Sequence, residues 1–186
     1  MAISDTEIRA AVEGYLARNP EEVDSLKEAV SQLSLGTGLA SRITFPMHTT
    51  VGALLVRDGE VLLVRHRAYG ILLQPGGHLE PGDDTLLGAA LRELVEETGI
   101  DTAKVTVALH RPVYVEYGPV PANSVKNEPA HFHLDVGFAF TAPAHLEVGK
   151  LQEEEVTGAG WYPLAIAERL VGNRISRAIC GPAGIN

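Results

Sequence analysis

The amino-acid sequence predicts an α/β sandwich preceded by a helical hairpin. Two segments with helical spacing of apolar residues open the chain, and strand-like β-branched runs begin near residue 47. The order of strands, one helix, strands and then short helices differs from a regular βαβ repeat. We therefore expect residues 1–45 to form a helical extension and residues 46–186 to form one α/β domain.

Composition limits the size, partners and compartment of the protein. The 186 residues, of which 45% are hydrophobic, suffice for one domain with a real core and a short extension. A net charge of −9 argues against nucleic-acid polymers and anionic membranes as partners, but it is compatible with a small phosphate ligand at a metal site. There is no membrane-length apolar run, no signal-peptide core at the N-terminus and only one cysteine, Cys180. These features predict a cytoplasmic protein without an intramolecular disulfide.

Capping signals delimit the two N-terminal helices. Ser4 and Glu7 form a capping box at the start of the first helix. Asn19 is the predicted N-cap of the second helix, with Pro20 at its first position, and Gly36 is expected to end it. A hairpin this short cannot bury its own apolar stripe. It must lie either on the main domain or across a partner subunit, and the second arrangement would make the protein a homodimer.

The main domain is predicted to begin with a β-hairpin. Residues 49–56 and 61–64 are apolar and β-branched, and the Asp58-Gly59 pair between them is a strong turn signal. A helix over residues 85–98 ends at Gly99, a residue that favours a left-handed cap. The remaining predictions are strands at 105–109, 113–115, 131–140 and 156–162, a loop at 118–130, and short helices at 163–170 and 175–179.

Three glutamates of the central helix carry the strongest chemical signal. Glu93, Glu96 and Glu97 stand at i, i+3 and i+4, so their carboxylates share one face of the helix. They lie toward its C-terminal end, where the helix dipole disfavours negative charge, so a merely solvated acidic face is the weaker explanation. Clustered carboxylates are stable around a cation, and oxygen ligands favour Mg²⁺ or Mn²⁺.

This helix and the loop before it resemble the Nudix box. The run Arg92-Glu93-Leu94-Val95-Glu96-Glu97-Thr98-Gly99-Ile100 has every element of the second half of that pattern, and Gly76-Gly77 stands upstream. The first half departs from the pattern. Counting six residues from Gly77 gives Asp83 where the family has Glu, whereas counting eight back from Arg92 gives Asp84. We expect the turn at Asp83 and Asp84 to absorb the one extra residue, and Asp84 is also a candidate helix N-cap.

The resemblance implies an α/β/α sandwich around a mixed sheet and a hydrolase that uses Mg²⁺ or Mn²⁺. Members of this family cleave a diphosphate bond in a nucleoside-diphosphate-linked or similar small molecule. Carried over to this sequence, Glu93 and Glu97 are direct metal ligands, Glu96 is a direct or water-bridged ligand, and the Gly77 carbonyl adds an oxygen. Arg92 would orient the carboxylates by charge-assisted hydrogen bonds.

The general base remains open at the level of the sequence. Members of the family differ in this role: some use a glutamate of the box, which here is Glu93, and others use a glutamate from a downstream loop. Glu116 and Glu128 are the downstream candidates. The sequence does not choose among the three.

Two histidines on one strand are candidates for substrate binding. His131, His133 and Asp135 alternate along the strand, so they point to one face, where they either contact substrate or form a half-exposed polar surface. A zinc site built on the two histidines is disfavoured, because the sequence shows no third soft ligand.

Other candidates for substrate contact are basic or lie in the long loop. Arg65 and Arg67 are predicted to share a strand face and to meet either phosphates or solvent. Loops as long as 118–130 are uncommon unless they are functional. We therefore expect this loop to close over substrate, with Lys126 or a histidine contacting the phosphate chain and Glu128 near the metal.

Two other functions fit parts of the sequence. A Nudix-fold module that senses a nucleotide without cleaving it would not require the complete set of Arg92, Glu93, Glu96 and Glu97. An isopentenyl-diphosphate-isomerase-like activity is a weaker alternative, because Cys180 lies far along the chain from the box. The substrate itself is not identified by the sequence.

Overall fold

The computed structural model describes residues 3–124 and 127–180, so the predicted phosphate contact Lys126 lies outside the described residues. Along this part of the chain, no helix is both long and apolar enough to cross a membrane. The elements in chain order are α1 (Asp5–Leu16), α2 (Val23–Leu33), β1 (Met47–Arg57), β2 (Glu60–His66), β3 (Leu72–Leu73), β4 (Gly76–His78), α3 (Leu86–Thr98), β5 (Thr106–Val107), β6 (Tyr114–Val120), β7 (His131–Thr141), β8 (Val156–Pro163), α4 (Leu164–Val171) and α5 (Arg174–Cys180).

The strands form one open mixed sheet with β1 at its centre. β1 runs parallel to β7 and antiparallel to β2 and β4. β2 also pairs with β3 and β8, while β7 also pairs with β5 and β6. Asp58 and Gly59 adopt positive φ angles of 38° and 77° between β1 and β2, which confirms the predicted hairpin turn.

Alternate residues of the strands point into two hydrophobic cores, one on each face of the sheet. The core on one face joins α1, α2 and α3 to the sheet. The core on the other face joins α4 and α5 to it. Because side chains alternate along a strand, each central strand contributes to both cores. The arrangement confirms the predicted α/β/α sandwich around a mixed sheet.

The N-terminal hairpin covers apolar surface of its own chain. Its inward side chains are buried in the same core as Val51 and Leu134 of the sheet, and they comprise Ile8, Val12, Tyr15, Leu26 and Leu33. The capping box is present, since the Glu7 N–H donates to Ser4 Oγ at 3.3 Å and the Ser4 N–H donates to Glu7 Oε2 at 2.8 Å. The burial of the stripe within one chain needs no partner subunit.

The predicted start of the second helix is wrong in one respect. The Asn19 side chain makes no capping bond, because its amide donates to the Tyr15 carbonyl at 2.9 Å. Pro20–Glu22 form one 3₁₀ turn, and α2 follows at Val23. Asn19 therefore ties the turn back to α1 and leaves the start of the next helix uncapped by a side chain.

The prediction of a loop over residues 118–130 is wrong for its first three residues. Gly118, Pro119 and Val120 continue β6 and pair with β7. β7 offers an unpaired edge there, and Pro119 is tolerated because β6 pairs with a strand on one side only among the described residues. This correction brings β6 alongside the two histidines of β7.

α3 begins one residue later than expected and keeps its register. Thr85 is the N-cap and accepts the Gly88 N–H at 3.0 Å, so the prediction of Asp84 as N-cap is wrong. The helix continues unbroken to Thr98, and Gly99 closes it with φ of 62°, which confirms the left-handed cap. The extra residue of the box therefore lies before the helix, and the Glu cluster keeps its helical spacing.

Candidate active site

The Gly76-Gly77 pair allows β4 and α3 to approach β1 closely. A Cβ added at Gly76 would lie 2.4 Å from the Val51 carbonyl oxygen. A Cβ added at Gly77 would lie 2.7 Å from the carboxyl group of Glu93. Both distances are shorter than a van der Waals contact, so glycine is required if the Glu93 carboxyl is to lie against the β4 backbone.

The three glutamates of α3 do not share one environment. Glu93 and Glu97 are buried, with 6% and 2% of their surface exposed, whereas the side chain of Glu96 is 44% exposed. The prediction of one open acidic face is therefore wrong in part. Glu93 and Glu97, at positions i and i+4, face the strand β4 that carries the glycine pair, while Glu96 lies at the rim.

Burial raises the pKa of Glu93 to about 7 and the pKa of Glu97 to about 8. The charge of Glu155 raises both values further, while Arg92 opposes the shift at Glu93. Glu97 also accepts the Gly76 N–H at 3.1 Å through Oε2. Two neighbouring carboxyls that burial disfavours as anions are suited to a hard divalent cation, which supplies the missing positive charge.

Arg92 joins the first half of the box to the second. Its Nε and Nη2 each donate to the Asp83 carboxylate at 2.9 Å, and its Nη1 donates to Glu93 and Glu96, also at 2.9 Å. Its Nη2 donates to the His78 carbonyl at 2.9 Å as well. These anionic partners, Asp83 first, raise the pKa of Arg92 above its ordinary value. Of the two aspartates before α3, Asp83 is thus the one that pairs with Arg92.

Both downstream glutamates named from the sequence are held in ion pairs with arginines. Glu116 pairs with Arg174 at 2.6 Å and with Arg177 at 2.7 Å, and Glu128 pairs with Arg42 at 3.0 Å. Glu128 lines one cavity together with Glu97, and its position near a metal stays a prediction.

Glu155 is the downstream carboxylate that sequence reasoning missed. It lines a cavity of about 680 Å³ together with Glu97, and a second cavity of about 640 Å³ together with Glu93 and Glu96. Its charge acts on the pKa values of both buried glutamates. The available signal was the acidic run at residues 153–155, directly before β8.

The predicted arginines take different positions. β2 ends at His66, so Arg67 lies beyond the strand and the prediction of a shared strand face is wrong. Arg67 lines the larger cavity, and its Nε donates to the Glu153 carbonyl at 2.6 Å. Arg65 donates to the Gly70 carbonyl at 3.2 Å and is not among the residues that line that cavity.

His131 and His133 line the larger cavity, and two further histidines lie beside them. Leu134 and Val136 point into the core on the opposite face of β7, which confirms the predicted alternation. His131 is only 3% exposed, so the interpretation of a half-exposed surface is wrong for this residue.

The rings of His48 and His133 have centroids 4.7 Å apart, and those of His78 and His133 lie 5.3 Å apart. Burial lowers the pKa of His133 to about 3 and also lowers that of His48, so both rings are neutral near neutral pH.

A buried polar network supports the larger cavity on the same face of the sheet. Asp135 accepts hydrogen bonds from Tyr114 Oη at 2.9 Å, Thr50 Oγ1 at 3.1 Å and Gln74 Nε2 at 3.3 Å. Arg174 of α5 donates to the Gln74 side-chain oxygen at 3.0 Å. The network joins β1, β6, β7 and α5, which holds the cavity wall in one arrangement.

The fold is an α/β/α sandwich, and its helix α3 holds buried glutamates against a glycine pair. This combination of fold and site is typical of the Nudix class. The sequence profile of the NUDIX domain matches residues 46–179 of this chain. The chain belongs to the Nudix family.

Relatives in sequence and structure agree with this assignment. Phosphatase NudJ of Escherichia coli K12 is 48% identical over 58 residues, which make up 30% of this chain and 37% of NudJ. An Ap4A hydrolase of Caenorhabditis elegans aligns with a TM-score of 0.53 at 20% identity, covering 69% of this chain and 93% of that one. The dihydroneopterin triphosphate pyrophosphohydrolase of E. coli aligns with a TM-score of 0.54 at 18% identity, covering 66% and 85%. The chain spans little more than a third of the length of NudJ, and the two structures support the fold alone.

Proposed function

We propose that the chain hydrolyses a diphosphate bond in a nucleoside-diphosphate-linked or similar small molecule, with Mg²⁺ or Mn²⁺ as its cofactor. The observation that carries the proposal is the buried pair Glu93 and Glu97, which lie against the Gly76-Gly77 pair and near the carboxylates of Glu96 and Glu155. These oxygens are the ligands that a hard divalent cation prefers. The named activities of the structural neighbours, on Ap4A and on dihydroneopterin triphosphate, are consistent with a substrate that contains linked phosphates.

The residues that would hold the cation are Glu93, Glu97, Glu96 and the carbonyl of Gly77. The buried carboxyls need a positive charge, and the absence of a Cβ at Gly77 leaves room for the Glu93 carboxyl. When bound, such a cation neutralises the diphosphate, activates a water and stabilises charge on the leaving oxygen. Arg92 fixes the directions of Glu93 and Glu96 through hydrogen bonds of 2.9 Å, so the ligand set is oriented before substrate arrives.

Glu155 is the proposed general base. It borders both cavities, and its charge acts on the neighbouring carboxyls of Glu93 and Glu97. Glu116 and Glu128 are held in ion pairs with arginines and border only the larger cavity, whereas Glu155 borders both cavities. A base must lie within reach of the proton that it removes, and position therefore favours Glu155 over both.

His133 and Arg67 are the proposed contacts for the phosphate chain or the leaving group. Both line the larger cavity, which also contains Glu97. His133 is neutral near neutral pH and can therefore donate or accept one hydrogen bond at each ring nitrogen. Arg67 supplies a permanent positive charge at the same cavity, and a phosphate oxygen is its natural partner.

A panel of diphosphate-containing metabolites, assayed for phosphate or nucleotide release with Mg²⁺ or Mn²⁺, tests the proposal. We expect release that excess chelator abolishes. Glu97→Gln, which keeps the volume of the side chain but removes its charge, should lower the metal-supported rate sharply. Glu147→Gln makes the same chemical change at an exposed position and is the matched control. Full activity in chelator, or an unaffected Glu97→Gln variant, would remove the basis of the proposal.

A further inference from the structure

Four histidines from three strands converge beside the carboxylate site. His48 lies on β1, His78 on β4, and His131 and His133 on β7. His48 and His133 are directly paired across the parallel strands β1 and β7. One ligand nitrogen from each of His48, His78 and His133 lies within 4.8 Å of the other two. We call this group the histidine cluster.

Among the described residues, the Nε2 atom of His48 has no hydrogen-bond partner, although His48 is only 1% exposed. Its Nδ1 lies 3.2 Å from the Thr44 carbonyl oxygen. A carbonyl can only accept, so Nδ1 carries the proton and Nε2 presents a lone pair to the interior. An unsatisfied buried nitrogen is costly, and such atoms call for an explanation such as a bound ion. A backbone carbonyl that holds the opposite ring nitrogen is also the usual support of a metal-binding histidine.

His131 is oriented in the same manner. Its Nδ1 lies 2.7 Å from the Pro129 carbonyl oxygen, so its Nε2 also presents a lone pair. That lone pair faces Nε2 of His133 at 3.2 Å. Nε2 of His133 therefore donates to Nε2 of His131, which leaves Nδ1 of His133 with a lone pair that can bind an ion.

We propose that the histidine cluster binds a divalent transition-metal ion of the zinc type, at a site separate from the carboxylate site. His48, His78 and His133 supply the ligands, and His131 stands next to His133 as the fourth imidazole. The donors are all nitrogen, which suits zinc and its neighbours among the transition metals and does not suit Mg²⁺. The two sites thus differ in the ion that they select.

The position of the histidine cluster links it to the cavity. His78 directly follows Gly77 in β4, and the carbonyl of His78 accepts a hydrogen bond from Arg92 at 2.9 Å. His78 and His133 line the same cavity as Glu97. A zinc ion held by three protein ligands keeps a fourth position for water or for an anionic oxygen. The metal would therefore add a positive charge to the cavity wall next to the carboxylate site.

Zinc binding by the tag-free, chelator-treated full chain tests the proposal without any substrate. The protein is dialysed against Zn²⁺ in the presence of a large excess of Mg²⁺, and retained zinc is measured by elemental analysis. We expect one zinc per chain in the parent protein and in Glu97→Gln. His48→Gln and His78→Gln should each weaken zinc binding more than about 100-fold, since loss of supporting partners alone costs about 10- to 100-fold. His145→Gln changes an exposed histidine outside the cluster and should bind zinc as the parent does.

Each outcome has a defined meaning. Zinc binding that is undiminished in both His48→Gln and His78→Gln overturns the proposal. Zinc binding that is lost in Glu97→Gln but kept in the histidine variants also overturns it. Circular dichroism checks that each variant folds. If His48→Gln does not fold, His78→Gln tests the proposal instead, because His78 is only half-buried. The absorption spectrum of the Co²⁺-loaded protein is a second measurement, because nitrogen ligation at low coordination number differs from an octahedral oxygen site. The proposed hydrolysis can fail independently, since none of these readouts is an activity.

Discussion

Asp83 and Arg92 form a two-point ion pair, with Nε and Nη2 of the guanidinium each 2.9 Å from a different oxygen of the carboxylate. Burial on its own raises the pKa of Asp83, but the hydrogen bonds from Arg92 and from the Glu80 N–H, together with the charge of Arg92, hold that pKa below its ordinary value. The same guanidinium contacts Glu93 and Glu96. Through this ion pair, Asp83 in the loop before α3 fixes the position of Arg92, and Arg92 in turn positions Glu93 and Glu96.

Asp83→Asn should lower kcat with a smaller effect on KM and on stability. The amide cannot accept from both guanidinium nitrogens, so Arg92 loses the partner that fixes its direction. Hydrogen bonds to charged groups contribute about 1.5–3 kcal/mol, which corresponds to a loss of roughly tenfold to a hundredfold in rate. Steady-state kinetics on the best substrate and thermal unfolding provide the measurement. Asp24→Asn, at an exposed position, is the control, and a variant indistinguishable from it would show that Arg92 needs no anchor.

The three glutamates should differ in their importance to hydrolysis. Glu93→Gln and Glu97→Gln each remove a buried carboxylate, whereas Glu96→Gln removes one whose side chain is 44% exposed. We expect the first two to lower the metal-supported rate most, with each tenfold loss equal to roughly 1.36 kcal/mol of transition-state stabilisation. Activity is titrated against Mg²⁺ for all three variants. Equal losses at all three positions would contradict the division by burial.

The metal-free protein should become less stable as the pH rises from about 4.5 to about 8. Glu93 and Glu97 have an ordinary pKa of 4.5, and burial raises these values to about 7 and about 8 in the folded state. The folded state binds more protons than the unfolded state across this range, so the free energy of unfolding falls with rising pH. Mg²⁺ requires the deprotonated carboxylates, so its stabilising effect should grow over the same range. Thermal unfolding with chelator or with Mg²⁺ measures both slopes, and Glu97→Gln should flatten them. Slopes that are equal in the parent and the variant would assign the pH dependence to other groups.

Gly77→Ala should damage the site while leaving most of the fold intact. The added Cβ would lie 2.7 Å from the Glu93 carboxyl, so that side chain must move. We expect at least about a tenfold loss of rate, or about 1.36 kcal/mol, and weaker Mg²⁺ binding. Gly82→Ala adds the same group nearby, where no described residue other than its chain neighbours has an atom within 4 Å, and should retain activity. If Gly77→Ala matched Gly82→Ala in rate and in Mg²⁺ affinity, the packing of Glu93 on Gly77 would be irrelevant to function.

Leu26→Ala should destabilise the whole domain, because α2 belongs to the core that also contains α3. Leu26 is 1% exposed, and replacing a buried leucine by alanine costs about 2–5 kcal/mol. Urea unfolding of the full chain measures this loss. Leu35→Ala, at a residue 65% exposed, is the control and should change stability little. An equally small effect at Leu26 would mean that the N-terminal hairpin is an appendage to the domain.

The sequence alone determined the features that depend on local spacing. The helical register of Glu93, Glu96 and Glu97, the turn at Asp58 and Gly59, and the alternation of His131 and His133 follow from the periods of a helix, a hairpin and a strand. Local periodicity survives folding because backbone geometry sets it. The box therefore supported the family and the fold before any contact was known.

Only the tertiary structure decided which neighbours these residues have. Docking of α3 on the glycine pair buries Glu93 and Glu97 and leaves Glu96 at the rim, although all three belong to one turn and a half of helix. Pairing of β1, β4 and β7 brings His48 and His78, from separate strands, to His131 and His133. Such contacts depend on strand order and register, which local sequence periodicity does not reveal. For that reason, neither the histidine cluster nor the position of Glu155 could be predicted from the sequence.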